Sequence, residues 1–320
     1  MKLVVTGSIA FDYLMHFPGR FADALKKEKL DAISVSFLVQ EMTKHRGGTA
    51  ANIAYSNGLM GGQPKLMATA GKDFSDYRDV LEDAGVDTSA VIVIEDEYTS
   101  SFFANTDRDE NQIASFYAGA MGHADKLSFG THAPGAELAI ISPNDPGAMK
   151  QYVEEARRRE LPYIFDPSQQ TLWLSGEDLA EAIDGCYLLA VNEYELHLVK
   201  DKTGLSEDDL LKRCTKGLIV TKGNQGSTLM IDGDVIEIPI VPPHQVLDPT
   251  GAGDAFRAGI MRGLQLQLPW ELAGRVAALS ATYCIENNGP QNHLFDPPAF
   301  VARFRRHFDD DGALDGLEAS

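Results

Sequence analysis

Short apolar runs alternate with amphipathic runs over most of the chain, and this alternation predicts a layered α/β fold. The apolar runs are four to seven residues long, which is typical of strands buried on both faces of a parallel sheet. They are residues 2–8, 65–70, 138–142, 163–166, 187–191 and 218–221. Between them, residues 73–84 and 146–160 are predicted helices, the second with Asp145 as its cap and Pro146 in its first turn. We therefore expect a doubly wound, mostly parallel sheet flanked by helices.

Period-two alternation interrupts this rhythm in two places. Residues 30–39 read LDAISVSFLV, and residues 100–105 and 112–117 alternate in the same way across a charged turn. These runs predict a small β-sheet lid that is inserted twice over the mouth of a large domain. The lid would comprise residues 11–47 and 95–118, and the large domain residues 1–10, 48–94 and 119–320. The alternative is that the runs are edge strands of the main sheet.

Composition narrows the classes of partner. The 320 residues suffice for one or two domains, and 28 basic against 47 acidic residues give a formal charge of −19, which argues against a nucleic acid or an anionic membrane as the main partner. No apolar run approaches the ~20 residues of a spanning helix, and no signal-peptide pattern opens the sequence. Three widely spaced cysteines show no zinc-like pattern. We expect a cytoplasmic protein with a frayed acidic tail at 309–320.

The strongest chemical signal is the run DPTGAGDAF at 248–256, which leads into a helix-like segment. Small residues at a helix start let successive backbone N–H groups converge on an anion, and an acid beside them can take a proton from an attacking hydroxyl. The run therefore indicates phosphoryl transfer with Asp254 as the base. The alternative is a glycine-rich turn whose aspartate caps the helix. Phe256 replaces the third glycine of a dinucleotide fingerprint, and no P-loop sequence is present.

Four stretches in order resemble the ribokinase-like (PfkB) carbohydrate and nucleoside kinases. They are Gly47-Gly48 with Asn52 and Ala54, the run NEYE at 192–195, Thr221-Lys222-Gly223 with Gly226, and DPTGAGDAF. Further runs, including HRGGTAANIA and FDPSQQ, are similar to the bacterial, mycobacterial-type adenosine kinases. The resemblance implies a ribokinase-like fold and the phosphorylation of adenosine to AMP with ATP and Mg²⁺. It also implies that a K⁺-type ion can order the anion-hole loop.

The resemblance assigns roles residue by residue. It makes Asp254 the base and the amides of Gly251, Ala252 and Gly253 the anion hole. The residues assigned to the acceptor nucleoside are Ser8, Asp12, Ser36, Gly48, Asn52, Phe102, Phe116, Gln169 and Gln170. Those assigned to ATP are Asn192, Glu195, Thr221, Lys222, Gly223 and Gly226, with Glu195 also reaching Mg²⁺ through water.

Each assignment has a structural alternative. Asp12 follows the first strand, where an α/β sheet binds ligands and a carboxylate can bridge two ribose hydroxyls, or it is an ordinary loop residue. Phe102 and Phe116 can stack on a purine, or they form the core of the lid. Asn192 can be a helix cap, and 223–226 a plain β-turn.

Two other functions stay open at this point. A sugar kinase of the same family would share Asp12, Asn52 and Asp254, whereas only a base would use Phe102 and Phe116. A non-catalytic nucleoside-binding protein would not need Asp254 beside its small-residue loop. We expect small-molecule substrates and neither nucleic acid nor membrane. Pairing of lid strands between two copies would give a homodimer.

Overall fold

A computed structural model of the protein describes residues 1–25 and 34–318, which form a large and a small β-sheet with helices around the large one. The strands are β1 (Leu3–Thr6), β2 (Ala10–His16), β3 (Glu41–Gly47), β4 (Lys65–Gly71), β5 (Val91–Ile94), β6 (Ser100–Thr106), β7 (Gln112–Tyr117), β8 (Leu138–Ile141), β9 (Tyr163–Phe165), β10 (Leu188–Asn192), β11 (Gly217–Thr221), β12 (Ser227–Ile231) and β13 (Asp234–Ile238). The α-helices are α1 (Phe21–Ala24), α2 (Thr49–Leu59), α3 (Ser75–Asp83), α4 (Phe129–His132), α5 (Pro146–Arg158), α6 (Gly176–Ile183), α7 (Glu193–Thr203), α8 (Glu207–Arg213), α9 (Ala252–Gln265), α10 (Trp270–Ile285), α11 (Pro297–Phe304) and α12 (Asp315–Glu318).

The large sheet has nine strands in the order β13-β12-β11-β10-β9-β8-β1-β4-β5. The seven strands β11, β10, β9, β8, β1, β4 and β5 are parallel to one another, and β12 and β13 add an antiparallel edge. Each of the six apolar runs forms a strand, so the prediction of a mostly parallel sheet is confirmed. The chain moves outward from β1 to β4 and β5, and then returns to the other side of β1 with β8. Ligands bind at the carboxyl ends of parallel strands where the strand order reverses in this way.

Helices cover both faces of the large sheet. Helices α2, α9 and α10 bury apolar side chains against one face, and helices α5, α6 and α7 against the other. Many residues of the parallel strands are fully buried, among them Val5 in β1, Leu66, Met67 and Ala68 in β4, Ala139, Ile140 and Ile141 in β8, Leu188 and Leu189 in β10, and Leu218 in β11. This two-sided burial explains why the strands of the large sheet read as continuous apolar runs.

The small sheet has the order β3-β2-β6-β7, and we call it the lid sheet. Strand β2 is antiparallel to β3 and parallel to β6, and β6 is antiparallel to β7. The strand predicted within 30–39 is wrong for residues 34–39, which are irregular; residues 30–33 lie outside the described residues. The ring of Phe37 packs against those of Phe17 and Phe21, with ring centres 5.1 and 4.9 Å apart. Its hydrophobic side chain thus holds an irregular segment and not a strand.

Two strands of the lid sheet, β2 and β3, were not predicted, and the hydrophobic pattern does not reveal β3. Its sequence EMTKHRG is mostly polar, and its first four residues are exposed. Pairing with every residue of β2 from Ala10 to His16 holds it in the sheet. What keeps a polar sequence in a strand is its pairing and packing context, which the sequence of that strand does not show.

The acidic tail is ordered where the structure describes it, so the prediction of a frayed end is wrong up to residue 318. Leu314 and Leu317 are fully buried, and α11 and α12 pack together. Asp310 is also buried and lies 2.9 Å from Arg305 Nε. The buried side chains of Leu314 and Leu317 therefore hold the tail against the rest of the protein despite its negative charge. Among the described residues, no helix is both long enough and apolar enough to span a bilayer.

Helix α5 begins as the sequence predicts, which yields a first test. The Asp145 side chain accepts a hydrogen bond of 3.1 Å from the Ala148 amide, and Pro146 occupies the first helical position. We expect Asp145→Ala to lower the free energy of unfolding by about 1 kcal/mol, because an N-terminal amide loses its acceptor. Asp145→Asn keeps the acceptor and should stay near wild type in urea denaturation. Equal losses in both variants would contradict the capping role.

Candidate active site

A cleft of about 1170 Å³ lies at the carboxyl ends of the parallel strands, beneath the lid sheet. It brings together all but two of the predicted site residues. Those that line it are Ser8, Asp12, Gly48, Asn52, Phe102, Phe116, Gln169, Gln170, Asn192, Glu195, Thr221, Lys222, Gly223, Gly251, Ala252, Gly253 and Asp254. Ser36 lies in the exposed irregular segment 34–39, and Gly226 lies outside the lining as well.

The loop before α9 has the geometry of an anion site. Gly251 caps the helix with a left-handed φ of +81°, and a Cβ on it would meet Pro290 Cβ at 2.4 Å. Asp248 fixes the loop by accepting the Thr250 amide at 2.8 Å and the Gly289 amide at 2.9 Å. The first turn of a helix has amides without intrahelical acceptors, and the helix dipole favours negative charge there. The Ala252 amide has one long contact, 3.2 Å to the Pro249 carbonyl.

Asp254 stands in the first turn of α9 and is partly buried. Asn52 Nδ2 donates to its Oδ2 at 2.8 Å. Burial raises the pKa of Asp254 to about 6, although the Asn52 hydrogen bond and the charge of Arg257 act in the opposite direction. Glu195 adds to the rise in this pKa through charge repulsion. The carboxyl is therefore ionised at neutral pH and is more basic than an ordinary aspartate.

One side of the cleft is lined by β2 and the start of α2. Gly48 has a φ of +91°, and a Cβ there would lie 2.6 Å from the Ala10 amide nitrogen and the Ser8 carbonyl oxygen. Asp12 projects from β2 into the cleft, and burial raises its pKa while His45 lowers it. The Ser8 hydroxyl accepts the Thr49 amide at 3.1 Å, so it also supports the first turn of α2.

Two phenylalanines on adjacent strands of the lid sheet line the cleft. Phe102 in β6 and Phe116 in β7 are direct cross-strand partners, and both line the cleft. Phe116 is 55% exposed, which is inconsistent with a position in the core of the lid. The opposite face of β6 carries Phe103, which stacks on Tyr13 at 4.8 Å between ring centres.

The two glutamines lie on a 3₁₀ segment, Ser168–Leu172, after β9. Gln170 Nε2 donates to the Asn144 carbonyl at 2.7 Å. Its Oε1 is buried and has no hydrogen-bond partner among the described residues. Gln169 is exposed at the cleft wall. An unpartnered buried acceptor is costly unless a bound molecule satisfies it.

Asn192 and Glu195 form a capping box at the start of α7. Asn192 Oδ1 accepts the Glu195 amide, and Glu195 Oε2 accepts the Asn192 amide, each at 2.8 Å. The helix-cap alternative is therefore real, and the same two residues also line the cleft. At the end of β11, Lys222 Nζ lies 3.3 Å from Glu237 Oε2. Gly223 and Gly226 both have positive φ, as a tight turn requires.

Sequence reasoning missed Arg257 and Asp166, which form a buried ion pair beneath the cleft. Arg257 Nε lies 2.6 Å from Asp166 Oδ2, and its Nη2 lies 3.8 Å from Glu195 Oε2. Its Nη1 donates to the Gly253 carbonyl at 3.0 Å. Burial raises the pKa of Asp166 to about 7 against the attraction of Arg257. An arginine inside the otherwise apolar middle of α9 was the available signal.

Sequence reasoning also missed Gln291 and Tyr77, which carried no motif. Gln291 Nε2 donates to Asn52 Oδ1 at 2.7 Å and contacts the Tyr77 hydroxyl. Both residues are buried behind the cleft, in elements far apart in the chain. Their approach depends on how α2, α3 and the segment after α10 pack together.

The family model of pfkB carbohydrate kinases matches residues 10–296 of the chain. The chain belongs to the pfkB family of carbohydrate kinases. The fold and the enzyme class expected from the sequence, a ribokinase-like phosphotransferase, are thereby confirmed, and the cleft is the place where this pfkB kinase brings its predicted site residues together.

Three relatives of this pfkB kinase bear nucleoside names. A nucleoside kinase of Methanothermobacter thermautotrophicus is 31% identical, covering 94% of this chain and 95% of that one. A nucleoside kinase of Methanocaldococcus jannaschii is also 31% identical, over 96% of this chain and 97% of its own. The structure of Burkholderia thailandensis nucleoside kinase with inosine has a TM-score of 0.84 and 38% identity, covering 96% of this chain and 98% of that one.

Proposed function

We propose that this kinase transfers the γ-phosphoryl group of ATP to the 5′-hydroxyl of adenosine, giving AMP and ADP. The observation that carries the proposal is the position of Asp254, which lies beside the amides of a helix N-terminus and in the same cleft as Asp12. Asp254 takes the proton of the hydroxyl as its oxygen bonds to the γ-phosphorus and the bond to the ADP oxygen breaks. The amides of Gly251 and Gly253, with that of Ala252, hold the charge of the moving group.

A carboxylate next to a phosphate site repels the negatively charged substrate unless part of its charge is offset. Asn52 donates to one oxygen of Asp254, and the charge of Arg257, one turn along the helix, also acts on the carboxylate. These groups offset part of the negative charge, while burial keeps the carboxylate basic. A base with a pKa near the working pH combines ionisation with a useful driving force for proton transfer.

A nucleoside acceptor is supported by the two lid aromatics and by Gln170. The rings of Phe102 and Phe116, which both line the cleft, offer flat apolar surfaces, which a purine uses and a bare sugar does not. The buried Oε1 of Gln170 offers an acceptor for an N–H group of a base. The Burkholderia thailandensis relative binds inosine, which has a purine base. Adenosine rests on the resemblance of HRGGTAANIA and FDPSQQ to adenosine kinases.

Asp12, with Gly48 and Asn52, would hold the ribose. A carboxylate accepts two hydroxyl hydrogens at once, and Gly48 lets the backbone approach the sugar closely. Ser8, Gln169 and Ser36 are the further nucleoside contacts that we propose. Ser36 could make its contact only if the segment 34–39 moves toward the cleft, because it is exposed away from the lining.

ATP would lie along Asn192, Thr221, Lys222 and Gly223, with Gly226 shaping the turn. The donor set fits Mg²⁺, which prefers oxygen ligands and keeps much of its water. Glu195 would hold the ion through water, because its Oε2 is already committed to the cap of α7. When bound, Mg²⁺ neutralises charge on the phosphates. A K⁺-type ion beside the Asp248 loop stays a prediction, and no ligands are assigned to it.

A sugar kinase remains the second candidate, because Asp12, Asn52 and Asp254 would serve ribose or fructose equally well. Phe116 favours the nucleoside, since its ring is exposed above the cleft and is not packed in a hydrophobic core. A non-catalytic nucleoside-binding protein is disfavoured by Asp254 and its intact loop.

The homodimer also stays a prediction. Exposed Met42, Ile113 and Tyr117 on the lid sheet favour it, and sedimentation velocity would test it.

Replacing Asp254 tests the proposed base. We expect Asp254→Asn to lower kcat by about 10³-fold, because the acceptor hydroxyl loses its proton acceptor while the fold is kept. A coupled assay of ADP release measures turnover, and calorimetry measures adenosine binding, which should persist. Asp145→Asn is the matched control, since it makes the same chemical change outside the cleft. Turnover near wild type in Asp254→Asn would overturn the assignment.

The pH dependence of the reaction follows from the pKa of Asp254. Because burial raises that pKa to about 6 and the base must be ionised, kcat/KM should fall about tenfold per pH unit below pH 6. Between pH 7 and 8 the rate should be nearly flat. Circular dichroism across the same range controls for unfolding. A rate that stays constant down to pH 5 would contradict a base with this raised pKa.

Phe116 discriminates a nucleoside from a sugar acceptor. We expect Phe116→Ala to raise KM for adenosine about tenfold, because one stacking surface is worth about 1 to 3 kcal/mol. Phe103→Ala is the control, as it removes the same side chain from the opposite face of the lid. A panel of adenosine, inosine, ribose and fructose should show turnover with nucleosides only. Efficient ribose or fructose turnover, unchanged in Phe116→Ala, would favour the sugar kinase.

A further inference from the structure

A chain of hydrogen bonds connects the carboxylate of Asp254 to the backbone of the lid sheet. Asn52 Nδ2 donates to Asp254 Oδ2 at 2.8 Å, and Gln291 Nε2 donates to Asn52 Oδ1 at 2.7 Å. The same Gln291 amide contacts the hydroxyl oxygen of Tyr77. The Tyr77 hydroxyl in turn donates to the Gly47 carbonyl at 2.7 Å. An amide nitrogen has two hydrogens, so both Gln291 contacts can be donations.

The linking side chains are shielded from water. Asn52 is 6% exposed, Gln291 4% and Tyr77 0%. Burial raises the pKa of Tyr77 far above its ordinary value, so its hydroxyl keeps its proton and can only donate to the Gly47 carbonyl. Buried hydrogen bonds of this kind have no competing water, and each fixes the orientation of the next group.

The orientation of the Asn52 amide is the critical step. Asn52 must present its NH₂ group, and not its oxygen, to the carboxylate of Asp254, since two oxygens would repel. Gln291 enforces this orientation by donating to the Asn52 oxygen. Without Gln291, the amide could rotate and leave Asp254 Oδ2 without a donor. Gln291 therefore acts on Asp254 although it does not contact it.

The other end of the chain lies where the lid sheet joins the large domain. Gly47 is the last residue of β3, and Gly48 follows with a positive φ at the start of α2. A Cβ on Gly47 would meet Asp12 Oδ2 at 2.6 Å, so this backbone also borders the proposed ribose carboxylate. Tyr77 reaches Gly47 from α3, which belongs to the large domain. A displacement of β3 would thus pull on the Tyr77 hydroxyl.

We propose that Tyr77 and Gln291 are positioning residues that couple the place of strand β3 to the orientation of Asp254. Strand β3 in its observed place holds Tyr77, Tyr77 and Asn52 together hold Gln291, and Gln291 orients Asn52 toward the carboxylate. The inference rests on the proposed role of Asp254 as the base. It adds two residues to the reaction that touch neither substrate nor the migrating group.

Tyr77→Phe removes one hydroxyl and leaves the ring in place. We expect kcat for adenosine to fall about tenfold with KM for ATP unchanged, because a small misplacement of a reacting group slows the chemical step. The control is Tyr163→Phe. Tyr163 is 1% exposed, and its hydroxyl also donates to a backbone carbonyl, that of Ala182 at 2.8 Å, far from the cleft. Both variants should lose similar thermal stability, and only Tyr77→Phe should lose kcat.

A double-mutant cycle with Gln291→Met separates coupling from general weakening. Because Gln291→Met already cuts the chain, adding Tyr77→Phe should lower kcat no further, whereas independent defects would multiply. Equal kcat losses in Tyr77→Phe and Tyr163→Phe, or multiplying losses in the cycle, would overturn the proposal. Asp254→Asn distinguishes a failure of the coupling from a failure of the proposed base. If it abolishes turnover while Tyr77→Phe leaves kcat unchanged, only the coupling fails; if it retains turnover, the base and the coupling fail together.

Discussion

The proposed site depends on one electrostatic constraint: in the proposed reaction a carboxylate and a phosphate share the N-terminus of α9. The helix dipole and free amides favour both anions there, but the two repel each other. The chain meets this constraint from two sides, with the Asn52 amide on one oxygen of Asp254 and the Arg257 guanidinium one turn along the helix. Without these groups, burial would raise the pKa of Asp254 further.

Arg257 has a second role as the junction of three segments. It lies against Asp166 after β9, against Glu195 in α7 and under the Gly253 carbonyl in α9. Asp166 begins the segment that carries Gln169 and Gln170, so the guanidinium connects that segment, the start of α7 and the start of α9. A buried ion of this kind is costly unless each charge has a partner. The burial of Arg257 therefore ties the geometry of these three cleft-lining segments to a single side chain.

Strand order explains why residues from such distant parts of the chain meet. The reversal of direction at β1 leaves a crevice between β1 and β8, and the loops after β1, β9, β10 and β11 all open at the same edge. The lid sheet closes this edge from above with Phe102 and Phe116. Strands β2 and β3 follow β1 in the chain, and β6 and β7 follow β5. The lid sheet is therefore connected to the large sheet at Gly48 and near Thr99, and these two connections set its position. Thr99 is held there by Asp73, which accepts from both its amide and its hydroxyl at 2.8 Å.

The sequence by itself determined the parallel sheet, the helix starts at Pro146 and Ala252, and most of the residues that line the cleft. These features depend on local or periodic chemistry: apolar runs for buried strands, a capping aspartate, and small residues where an anion approaches the backbone. Only the tertiary structure decided the lid strand β3, the docking of the tail through Leu314 and Leu317, and the partners of Asp254. Strand β3 is polar and depends on its pairing with β2, while Arg257, Gln291 and Tyr77 become neighbours of the site through packing alone. A hydrogen bond between residues 239 positions apart, as in Gln291 and Asn52, leaves no pattern in either segment.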